Sequence, residues 1–231
     1  LLTLFEGHPY GRLLKGSEAT VPTLTRDDVV GFYEAHYRRD HALLAAAGNV
    51  TPGALDAYGQ ATLGGLPEGR AELPAIPEPT PTTGYRVRFV DKPARSQTQI
   101  VIGHTTLPSG HPDHLPLLVG HTLFGGTFTA RLSHEIREKR GWSYGAYSGL
   151  SADSHLGTFT MRFFPNNQDT LPALQLCDQL FHDLVDVGAT GDEVAFAKRY
   201  LQQGHVFSLE TAEKEMNERV MSGLLGRPGD W

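Results

Sequence analysis

Five prolines fall within residues 67–83, PEGRAELPAIPEPTPTT, and they constrain this chain more than any other feature. Proline fixes φ near −65° and removes a backbone donor, so such a stretch forms neither a helix nor a central strand. It reads as an extended connector. The 231-residue chain is therefore divided at 67–83, and each side must find its own way to bury apolar surface.

The part before the connector, 1–66, reads α-β-α. Thr25-Arg26-Asp27-Asp28 has the spacing of a helix N-cap with an acid at the third helical position. Val29, Phe32, Tyr33 and His36/Tyr37 follow at helical spacing, which predicts a helix over 26–38. HALLAAAGNV, residues 41–50, is a short apolar run closed by Gly48-Asn49 and reads as a buried strand. Thr51-Pro52 opens another helix, carrying Leu55, Tyr58 and Leu63 and ending near Gly64-Gly65. This segment is too small to hold a sheet of its own and looks like the tail of another domain.

The part after the connector, 84–231, changes pattern. In GYRVRFVD, Tyr85, Val87 and Phe89 alternate with Arg86 and Arg88, the mark of a half-buried strand. SQTQIVIGH, 96–104, alternates similarly, and a short turn at Asp91–Ala94 makes the two an antiparallel hairpin. A helix is expected from Pro112 to Gly125-Gly126. A second holds Phe128, Leu132 and Ile136 and stops at Gly141. Strands at about 143–152 and 156–164 come next, then a long helix from Asn166 or Asn167 to Gly188. Thr190-Gly191-Asp192-Glu193 is a capping box opening a last helical region, about 191–224, broken near Ser208. The order β-β-α-α-β-β-α-α, with hairpins in place of strict alternation, predicts an α+β fold: an antiparallel sheet with helices packed on one face.

Composition removes several function classes. A formal net charge of −6 argues against a general nucleic-acid binder. The basic residues Arg137, Lys139 and Arg140 are interleaved with Glu135 and Glu138, as on a solvated helix face. No apolar run reaches about 18 residues, so no membrane-spanning helix is expected. The single cysteine, Cys177, excludes an internal disulfide and a thiolate zinc cluster; in an apolar helical pattern it reads as a buried structural thiol. The chain opens LLTLFEGHPYGR and closes LLGRPGDW, so it reads as a piece of a longer polypeptide. Its α-β-α part would then expose apolar surface and favour a homodimer. Nothing in the sequence fixes the compartment.

Eleven histidines invite a metal hypothesis. The densest group is His104, His111, His114 and His121, yet only Asp113 stands near as a further ligand, and it points elsewhere on a helix. HEIRE, 134–138, lacks the second histidine of a zinc helix, and no histidine begins H-x-x-E-H. No G-x-S-x-G or phosphate-binding glycine loop occurs. Gly125-Gly126 reads either as a close-packed helix break or as a glycine-lined substrate wall. Asp178, His182 and Asp186, one turn apart, read as a wet helix face.

FGGTFTARLSHEIREKRGWSYGAYSG, 124–149, resembles the second half-domain of the pitrilysin/insulinase zinc peptidases, the inverzincins, a family that includes the mitochondrial processing peptidase. The usual pattern is L-G-G-x-x-x-S-R-L followed by E-I-R-E-K-x-G-x-x-Y. Phe124 and Ala130 depart from it, while Gly125, Gly126, Arg131, Leu132, Arg137, Gly141 and Tyr144 agree. HPYGR and LTRDDVVGFYEAHYRRDHALLAAAGNV look like the end of the first half-domain.

The resemblance implies two homologous α+β half-domains facing each other across a cavity. The first carries zinc on H-x-x-E-H and a distant glutamate. The second carries an arginine and a tyrosine seven apart, matched here by Arg137 and Tyr144, as donors to a peptide carbonyl or its oxyanion. Gly125 and Gly126 would line the substrate wall. Zinc would belong to the complete enzyme and not to this chain, so a zinc-bearing half-domain or subunit is an implied partner, with a peptide or protein as substrate. The competing expectation is a catalytically inactive scaffold subunit of the same family; retention of Arg137 and Tyr144 favours the peptidase.

Overall fold

The computed structural model describes residues 3–80 and 83–227. Cα packing divides the chain into two compact units, Leu1–Phe89 and Val90–Trp231.

In the first unit, helix α1 (Arg26–His36) starts at the expected capping box: Thr25 accepts from the Asp28 N–H, and the Asp28 carboxylate accepts from the Thr25 N–H at 2.8 Å. Helix α2 (Pro52–Leu63) is capped by Thr51 with proline at its first turn. Neither helix buries a residue fully. The proline-rich stretch is extended and is tied back to its own unit. The Arg39 N–H donates to the Pro67 carbonyl at 3.0 Å, and the His8 ring lies 2.7 Å from the Pro77 carbonyl.

Two expected strands do not form. Residues 41–50 are irregular and almost wholly exposed. Residues 84–90 are irregular too, with Tyr85, Val87 and Phe89 exposed to 85%, 86% and 83%. The apolar patterns are real, but a strand is stable only with a ladder partner and a covered face. The described residues supply neither for these segments, so the predicted hairpin at 91–94 is absent.

The second unit is the α+β body. Strand β1 (Ile100–Thr106), β2 (Ala146–Ala152) and β3 (Gly157–Phe163) form a three-stranded antiparallel sheet in the order β1-β3-β2. The bridge Gln97–Asn166 extends the β1–β3 pairing past the regular ladder. Register places Ile100–Phe163–Ala146 and Ile102–Met161–Ser148 on one face, and Val101–Arg162–Tyr147 and Gly103–Thr160–Gly149 on the other.

The first face carries the core. Phe159, Met161 and Phe163 pack against Leu123, Phe124, Leu132, Ile136, Ala173, Cys177 and Ala197. The last seven come from helix α3 (His114–His121) and the wide π turn that prolongs it (Thr122–Gly126), α4 (Arg131–Ser133) with its own π turn (His134–Glu138), α5 (Thr170–Asp186) and α6 (Gly191–Ser208). Helix α7 (Ala212–Leu224) completes the unit. The break expected near Ser208 falls between α6 and α7. The helix expected to hold Phe128 begins only at Arg131, which leaves Phe128 outside it. Cys177 is fully buried, and burial pushes its thiol up to about 12, as befits a structural side chain.

Candidate functional site

Arg137 lies in the π turn His134–Glu138, where the Lys139 N–H reaches back to the His134 carbonyl at 2.9 Å. Gly141 then ends the helix with φ +63°, a left-handed conformation that glycine adopts without a Cβ penalty. Its N–H donates to the Arg137 carbonyl at 3.0 Å, and the Trp142 N–H donates to that of Ile136 at 3.1 Å. This closure resembles a Schellman motif one residue wider than usual, as a π turn requires.

The chain leaves this corner through Ser143, which is buried and anchors it twice. Its hydroxyl donates to the Gly145 carbonyl at 2.6 Å and accepts from the Phe164 N–H at 2.8 Å. With its two neighbours held, Tyr144 projects outward and is 88% exposed.

The corner brings Arg137 and Tyr144 together. The Arg137 guanidinium carbon is 5.5 Å from the centre of the Tyr144 ring. It is closer still, 4.0 Å, to the Phe128 ring, which is 63% exposed. Arg137 Nη1 donates to the Glu138 carboxylate at 2.8 Å. The rest of the basic run is engaged elsewhere: Glu135 accepts from Lys139 at 2.5 Å and Arg140 at 2.6 Å. Those two bonds, Lys139 first, hold the Glu135 carboxyl below the usual carboxylate range. Arg137 thus stands apart, flanked by two exposed aromatic rings.

Gly125 and Gly126 occupy the other π turn. A Cβ on Gly125 would lie 2.6 Å from Ser148 Oγ and 2.7 Å from Ser148 N, so glycine lets this turn press against β2. Gly125 is buried, whereas Gly126 is exposed. Beneath the turn, His121 Nδ1 lies 2.9 Å from Ser148 Oγ, and burial lowers the pKa of this histidine.

The histidine group is dispersed. His104 bonds the Thr105 carbonyl at 2.8 Å and packs near Phe159 and Phe181. His111 accepts from the Asp113 N–H at 3.1 Å, and His114 is buried. Among the described residues no three or more His, Cys, Asp or Glu side chains gather as they must to hold a metal ion. The described residues therefore do not fit a zinc site.

Arg131 has a different task. Its guanidinium forms a two-point bridge to Glu193, at 2.5 and 2.7 Å, and donates to the Gly188 carbonyl at 3.0 Å. Glu193 also caps α6 by accepting from the Thr190 N–H at 2.8 Å. The bond from Arg131, together with those from Thr190, holds the Glu193 carboxyl at about 2. The pair ties the start of α4 to the start of α6. A cavity of about 670 Å³ opens beside it, lined in part by Leu123, His134, Asp183 and Phe196.

Sequence reasoning missed Phe128, Ser143 and the Arg131–Glu193 bridge. Phe128 was spaced like a core helix residue, and only its position before the helix start exposes it. Glu193 was legible as a cap, but its partner lies 62 residues away in sequence.

Residues 23–201 match the family described as Peptidase M16 inactive domain. The chain belongs to the peptidase M16 family. It is 30% identical over 228 residues to an uncharacterized zinc protease of Streptomyces coelicolor, covering 96% of this chain and 49% of that protein. The chain thus spans about half the length of the curated relatives it matches.

The fold is that of the peptidase M16 inactive domain from Pseudomonas fluorescens, with a TM-score of 0.86 at 24% identity over 99% of this chain and 54% of that one. A chain of complex III2 from Candida albicans has the same fold, with a TM-score of 0.80 at 18% identity over 98% and 55%. The M16 inactive domain thus accounts for the sheet, its helices and the 124–149 segment that carries Arg137 and Tyr144.

Proposed function

We propose that this chain is the substrate-binding region of a zinc-dependent metalloendopeptidase, with the metal supplied by an upstream region of the same polypeptide or by a partner subunit. The observation that carries this reading is the exposed corner holding Arg137 beside Tyr144. A guanidinium and a phenol are strong donors for a peptide carbonyl oxygen, and both are presented by a rigid element anchored through Ser143 and Gly141. In this reading Arg137 and Tyr144 grip an extended peptide backbone and fix its position. Gly126, exposed at the end of the other π turn, leaves room for the peptide to approach. No step of bond cleavage is assigned to residues of this chain.

Peptide cleavage by the complete zinc-bearing enzyme tests this. Arg137→Ala is expected to lower kcat/KM by about a hundredfold, the scale seen when one donor to a reacting carbonyl is removed. Tyr144→Phe removes only the hydroxyl and is expected to cost roughly tenfold, the scale of one hydrogen bond. Zinc content should be unchanged in both. Unchanged turnover in both variants would remove the role and leave the scaffold reading in its place.

A further inference from the structure

We propose that Phe128 is a positioning residue of this site: it holds the Arg137 guanidinium in place for the carbonyl oxygens of a peptide. The proposal rests on the substrate-binding reading of Arg137 and deepens it.

Phe128 is an anomaly for a structural residue. It follows Gly125-Gly126 in an irregular segment, before α4 begins at Arg131. At 63% exposure it contributes little to the core, and core packing does not explain a phenyl ring there. Its clear partner is Arg137, whose guanidinium carbon sits over the ring at 4.0 Å. That is well within cation–π range.

The contact solves a problem that the site poses. An arginine side chain has many rotamers to lose when it is fixed by a ligand. A ring over the face of the guanidinium and the Glu138 carboxylate at Nη1 restrict it before any ligand arrives. Among the described residues, Glu138 is the sole hydrogen-bond partner of this guanidinium. Its remaining N–H groups are left for an incoming acceptor. An aliphatic side chain at 128 could fill the same space but lacks the π face that attracts the cation.

The test measures cleavage of a peptide substrate by the complete zinc-bearing enzyme, in a double-mutant cycle. Phe128→Ala is expected to lower kcat/KM about tenfold with zinc content unchanged, the scale of a cation–π contact in a partly desolvated site. Phe128→Tyr and Phe128→Trp are expected to stay within about twofold, and Phe128→Leu to behave like alanine. In an Arg137→Ala background, Phe128→Ala should add less than about twofold, because its effect passes through the arginine. Full additivity, or rescue by leucine, would overturn the positioning role while leaving the substrate-binding reading intact.

A silent Arg137→Ala would remove the arginine from substrate binding and overturn this proposal with it. Independently of turnover, the Arg137 Nε–H resonance should show an upfield ring-current shift that Phe128→Leu abolishes. The absence of that shift in the unsubstituted protein would also overturn the proposal.

Discussion

The two units obey the same local rules and reach different ends. Both contain helices opened by capping boxes, Thr25/Asp28 in the first and Thr190/Glu193 in the second. In the first unit the box starts a helix that buries none of its residues fully. Val29, Phe32, Tyr33 and Tyr37 all remain exposed. In the second unit the glutamate of the box is itself gripped by Arg131, and Ala197 on that helix is completely buried. Capping decides where a helix begins, while a sheet decides whether its apolar face is used. The first unit has no sheet among its described residues, and these apolar positions on and beside α1 stay exposed.

The sharpest way to break this contrast is to empty the core. Phe163 is fully buried at the end of the central strand β3, paired with Ile100 and Ala146. Phe163→Ala is expected to cost about 3–5 kcal/mol. Phe32→Ala in the first unit should stay within about 0.5 kcal/mol. Denaturant titration of both variants decides the matter, and equal losses would show that the first unit has a core of its own.

A smaller effect is expected at the Arg131–Glu193 bridge, which is partly buried. Arg131→Ala should destabilise the second unit by about 1.5–3 kcal/mol, the range for hydrogen bonds to charged groups. The pH dependence has a defined sign. Glu193 has a folded pKa of about 2, below its ordinary 4.5, so the bridge stabilises above pH 4.5 and is lost as pH falls toward 2. The acid limb of the stability curve should flatten in Arg131→Ala. An unchanged limb would remove the bridge from the stability of the fold.

The smallest expected effect belongs to the surface of the first unit. Its exposed aromatic residues on α1 should make the isolated chain associate weakly, with a sedimentation coefficient that rises with concentration. Phe32→Ser should reduce that rise. A strictly monomeric chain at high concentration would show that this surface is no docking face.

Much of the second unit was legible in its residues. The 96–104 alternation, the Gly141 stop, the Thr190 box and the break near Ser208 each rest on near-neighbour chemistry, and each lies at or close to where it was expected. The site was legible only in part. The spacing of Arg137 and Tyr144 was visible, whereas Phe128 looked like a helix residue. Two π turns, each widening the helix by one residue, are hidden from a 3.6-residue periodicity. They set the direction in which Gly125, Gly126 and Arg137 leave their helices.

By itself the sequence determined which segments can be helices, where the caps and stops fall, that Cys177 is buried, and which family pattern 124–149 carries. These follow from interactions between residues a few positions apart. Only the tertiary structure decided that 84–90 and 41–50 stay irregular, because a strand exists only where another segment completes its hydrogen bonds. It also decided that Phe128 meets Arg137 and that Arg131 meets Glu193, contacts whose partners are set by how the chain folds back on itself.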